Sequence, residues 1–74
     1  MSIRTELAAA VRRVNAAYNR CPNAEEIDIF TDRWRTLEAK VDTALAAGDD
    51  AAARKAIQAW ESHAVLTFTE ATRG

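Results

Sequence analysis

The stretch Val41–Ile57, VDTALAAGDDAAARKAI, decides the fold. Apolar residues recur along it and beyond it at alternating steps of three and four, the period of a helix with one buried stripe, and Gly48, Asp49 and Asp50 stand at its centre. Glycine takes the left-handed conformation that commonly closes a helix, and an aspartate placed directly after it can accept a bond from the unpaired N–H groups of the next. One helix ends and another begins almost at once. A connection that short predicts two antiparallel neighbours.

On the N-terminal side of the turn the stripe is Ile27, Phe30, Trp34, Leu37, Val41 and Ala44, with Leu45 beside it; on the C-terminal side it is Ala53, Ile57, Trp60, Ala64, Phe68 and Ala71. Folding at Gly48 places Val41 opposite Ile57, Leu37 opposite Glu61 and its neighbour Trp60, Trp34 opposite Ala64, and Phe30 opposite Phe68. A large residue facing a small one, as at Trp34 and Ala64, lets helices interlock at about 8 to 10 Å. Asn23, with Glu26 three residues later, reads as a capping box, so the second helix is expected over 24–47 and the third over 50–71. Residues 65–69 are rich in β-branched and aromatic types, but a single strand would have no sheet partner, and they are read as helix.

A further helix is expected over 3–20. Ser2 can cap it, its stripe is Ile3, Leu7, Ala10, Val14, Ala17 and Cys21, and Pro22 disfavours helical geometry at the residue before it. Folded back through Cys21 and Pro22, this helix is expected to lie antiparallel to the second, with Ala10 near Trp34 and Val14 near Phe30. Charge agrees: Arg4, Arg12, Arg13 and Arg20 against Glu6 make the first helix net +3, whereas Glu25, Glu26, Asp28, Asp32, Glu38 and Asp42 against Arg33, Arg35 and Lys40 make the second net −3. Exposed pairs contribute only about 0.2 to 1 kcal/mol each, so the charges favour this layout without creating it. The predicted fold class is all-α: an up-down-up antiparallel three-helix bundle forming one domain, 1–74.

Composition bounds what such a bundle can do. Seventy-four residues, 49% apolar and 28% charged, suit one small globular domain. The longest apolar run, 7–11, falls far short of the roughly 20 residues needed to span a bilayer, and the N-terminus carries no signal pattern. A single cysteine cannot form an internal disulfide, which points to a reducing cytoplasm. The net charge of −1 removes the broad attraction that drives binding to nucleic acid or anionic membrane. Seventeen alanines bury little area, and a core this small rarely supplies more than about 3 to 5 kcal/mol. Two outcomes stay open: a monomeric bundle, and a homodimer or obligate complex.

Candidate chemistry is thin. His63, the one histidine, lies off the Ile57–Trp60 stripe with no paired histidine, HExxH or cysteine cluster, and reads as a solvated side chain. Cys21 stands at a helix C-terminus, away from the positive dipole end that would favour a thiolate, and reads as a buried or half-buried thiol. Neither Ser2 nor Ser62 sits in a glycine-rich elbow, and two glycines cannot build a phosphate loop. The acids at 25–32 read as a helix-start pattern. No enzyme activity, cofactor or metal is expected.

The exposed surface holds the remaining candidates. Arg13 and Arg20 share a face of the first helix with Arg12 nearby, a pattern that reads either as a solvated face or as phosphate contacts. Leu66 falls about 180° from Ile57, and Ile29 about 140° from Trp34, so neither faces the seam. With Val65 they are the expected contact surface for a partner. Gly48, Asp49, Asp50, Ala53 and Ile57 resemble the inter-helix turn of a tetratricopeptide repeat over about a dozen residues, but Trp60 stands where that family has a small residue and no second copy occurs. The turn reads as generic hairpin chemistry, and no family is assigned. The expected function is a non-enzymatic protein–protein interaction module, acting as a small regulator, inhibitor or assembly component. The alternative is a small dimeric nucleic-acid-associated protein that uses Arg12, Arg13 and Arg20.

Overall fold

The computed structural model describes residues 2–29 and 31–73. Three α-helices account for most of it: α1 (Ile3–Arg20), α2 (Asp32–Ala47) and α3 (Asp50–Arg73), with a 3-10 turn at Ala24–Glu26. They run up, down and up. The all-α bundle predicted from periodicity is the observed fold, and no strand occurs among the described residues.

The hairpin forms as its turn chemistry dictates. Gly48 adopts φ 70° and its N–H donates to the carbonyls of Ala44 and Leu45, while Asp49 Oδ1 accepts from Ala52 N at 3.1 Å and so caps α3. Val41 and Ile57 meet in one apolar cluster, Trp34 and Ala64 in another, as the hairpin register requires. The rings of Trp34 and Trp60 lie 5.3 Å apart. Phe68 is the largest fully buried side chain. The expected contacts of Phe30 lie outside the described residues.

The second helix starts later than the capping-box reading placed it. Asn23 makes no side-chain cap bond; the chain instead forms one 3-10 turn that ends on an extended Ile27, Asp28 and Ile29 are not helical, and α2 is capped by Thr31, whose Oγ1 accepts from Trp34 N at 3.3 Å. The cause is visible in side-chain alternation. Ile27 and Ile29 both pack on the cluster of Cys21, Trp34 and Phe68, while Asp28 between them is exposed, which is the period-two pattern of an extended segment. A helix would have turned one isoleucine to water.

This longer connection changes how α1 sits. Both α1 and α2 pack along α3 far more than against each other, so α3 is the shared element. Glu6 pairs with Arg54, and Arg13 with Glu61. Both pairs keep the same offset in sequence, which requires α1 and α3 to run parallel. The expected meeting of Ala10 with Trp34 is not observed: Ala10 clusters with Val41 and Ile57, about two turns further along α2, and Trp34 clusters with Val14. The opposite net charges of the first two helices do not bring them together either, because both interhelical ion pairs among the described residues join α1 to α3. The outcome is a flattened body of 38 × 26 × 15 Å.

Candidate functional site

Of the three residues expected to form a contact surface, Leu66 alone is exposed. Leu66 is 56% exposed, as its angular position predicts. Val65 and Ile29 are half-buried and pack on the core instead, Ile29 from the extended segment rather than from a helix face. Its place off the stripe reflects a change of backbone period, not an outward-facing helical residue.

The arginines of α1 are differently engaged. Arg13 donates from Nε to Glu61 Oε2 at 2.8 Å and from Nη2 to Glu61 Oε1 at 2.6 Å, a bidentate fork that occupies its planar face. The carboxylate raises the Arg13 pKa further. Arg20 and Arg73 line a groove of about 480 Å³ between α1 and α3. Both stand at helix C-termini, where a cation offsets the negative end of the dipole. Arg12 is exposed and makes no ion pair among the described residues.

The remaining chemical candidates stay apart. Cys21 is buried and its thiol donates to Asn23 Oδ1 at 3.2 Å. His63 is half-buried rather than solvated, and its backbone carbonyl accepts from Thr67 Oγ1 at 2.8 Å. Among the described residues, no group of three or more His, Cys, Asp or Glu is placed to hold a metal ion, and no helix is long and apolar enough to cross a membrane. Trp60 Nε1 is buried without a hydrogen-bond partner among the described residues, beside a recess of about 150 Å³ between α1 and α2. That volume is below the range of about 300 to 1,000 Å³ typical of small-molecule pockets.

A larger concave feature lies on the opposite side of the hairpin. Because α1 covers only one of the two grooves between α2 and α3, the other is open over about 880 Å³. On α2 its wall is built from Arg33, Thr36, Lys40 and Thr43, at steps of three and four; on α3 it is built from Ala52, Lys55, Ala56 and Ala59. Leu37 and Ala44 close the floor. Arg33, Lys40 and Lys55 are exposed and form no ion pair among the described residues, and the one acid on the rim, Asp49, is engaged in capping α3. The sequence reading missed this surface because it treated alanines as weak core filler. The signal was present: Ala52, Ala56 and Ala59 recur at helical spacing outside the Ile57–Trp60 stripe, and Arg33 and Lys40 share a face.

Comparison with protein-family models, with curated proteins and with solved structures finds no match.

Proposed function

We propose that the chain is a non-enzymatic protein–protein interaction module whose working surface is the outer groove of the α2–α3 hairpin. The observation that carries the reading is the asymmetry of the hairpin: one face is packed against α1, and the groove on the other face is open, with exposed alanines on its α3 wall above a buried floor. A groove between two helices is a common seat for a third, because side chains of the incoming helix settle between the two ridges. Action as a regulator, inhibitor or assembly component follows from what the bound partner does elsewhere.

The test is affinity capture from the native host with wild type and an Ala59→Glu variant, read by mass spectrometry. Ala59 is exposed, so the variant folds, but it places a charge on the groove wall. Proteins retained by wild type and lost by the variant are expected. Equal retention would remove the groove as the working surface, and the absence of any partner, in a chain that is also monomeric by light scattering, would remove the reading itself.

A further inference from the structure

From the charge and width of the same groove, and resting on the interaction-module reading, we infer that its occupant is an acidic amphipathic helix of a different protein chain. Three exposed cations, Arg33 and Lys40 on one rim and Lys55 on the other, flank a groove floored by Leu37 and Ala44 and lined on α3 by Ala52, Ala56 and Ala59. The alanine wall on α3 admits a helix backbone at close range and leaves room for side chains of Ala, Val or Leu size on its seam. Carboxylates flanking that seam meet the rim cations on both sides. The groove runs from Arg33 to Ala47 along α2, about 21 Å, so it seats about four turns of helix.

A second copy of this chain does not suit the site. A two-fold interface sets a patch against itself, and here that would bring the cationic rims of both copies together. Like charges opposed across a contact act against association, whereas an acidic helix replaces that repulsion with attraction. Docking is therefore salt-sensitive, because the rim is exposed to solvent.

A displayed library of helices of about 18 residues tests this, with Ala, Val or Leu on the seam and Glu, Lys or Gln open at the flanking positions. Selection against the folded protein is expected to enrich Glu at the flanks. The selected peptides should bind a Lys40→Glu/Lys55→Glu variant about tenfold more weakly, and an Arg4→Glu/Arg12→Glu variant, altered on α1, as well as wild type. A photo-crosslinker at position 59 should capture them. Circular dichroism establishes that each variant is folded; were the Lys40→Glu/Lys55→Glu variant unfolded, loss of binding on raising salt and capture at position 59 carry the test. Enrichment of Lys, indifference to rim reversal in a folded variant, or crosslinking only from position 66 would overturn the inference while leaving an interaction module in place. If selection yields no binder and host capture yields no partner, both readings fall.

Discussion

Glu6 and Arg13, about two turns apart on α1, find partners of opposite sign at the same spacing on α3, so the two ion pairs act as a ruler that reports the parallel register. The hydrogen bond from Arg54 holds the Glu6 carboxyl below its ordinary value of 4.5. A carboxyl lowered by folding contributes stability that is present above its unfolded pKa and lost as pH falls through the folded one, so this contribution begins to decline near pH 4.5 and is gone once the pH passes below the lowered Glu6 value. Replacing Arg54 by Ala is expected to return Glu6 to the ordinary carboxylate range, as followed by carboxyl-carbon NMR titration. An unchanged Glu6 titration would mean that the pair does not form in solution. Two apolar residues of α3 make a sharper contrast. Phe68→Ala removes the largest fully buried side chain, a loss of about 3 to 5 kcal/mol that matches what so small a core supplies, so the variant is expected to be largely unfolded by circular dichroism even without urea. Leu66→Ala, at an exposed position close by in sequence, should stay within about 0.5 kcal/mol.

At the scale of elements, the start of α2 carries the clearest prediction. Thr31→Ala removes the oxygen that accepts the Trp34 N–H and should cost about 1 kcal/mol, whereas Asn23→Ala should cost less, since Asn23 makes no side-chain bond to a helix backbone. The reverse order by urea denaturation would restore the earlier helix start. The hairpin was legible in the sequence because Gly48, Asp49 and the paired stripes all act locally. The bounds of α1 were legible for the same reason, with Ser2 at one end and Pro22 at the other. The segment Ile27–Ile29 was not, because Ile27 fits both a helical stripe and an alternating strand, and only Ile29 separates the two periods. Of the two apolar residues that break the period here, Ile29 marks a change of backbone and Leu66 an exposed side chain.

Across the whole molecule, a connection eleven residues long, 21–31, rather than a tight turn at Cys21 and Pro22, lets α1 travel beside α3 instead of closing on α2. Net charge per helix could not foretell this, because exposed pairs are too weak to choose among topologies; they settle into whichever register apolar packing sets. The open groove follows from the same geometry. With α1 on one side of the hairpin, the alanines on the other side meet no helix among the described residues, and composition alone does not say which alanines those are. Methyl-detected NOE spectroscopy of the folded chain tests this arrangement most directly. Cross-peaks from the Ala10 methyl to Ile57 and Val41 are expected, together with none between α1 and the methyls of Ala52 or Ala59. Contacts of α1 with those two alanines, or of Ala10 with the Trp34 indole, would contradict it.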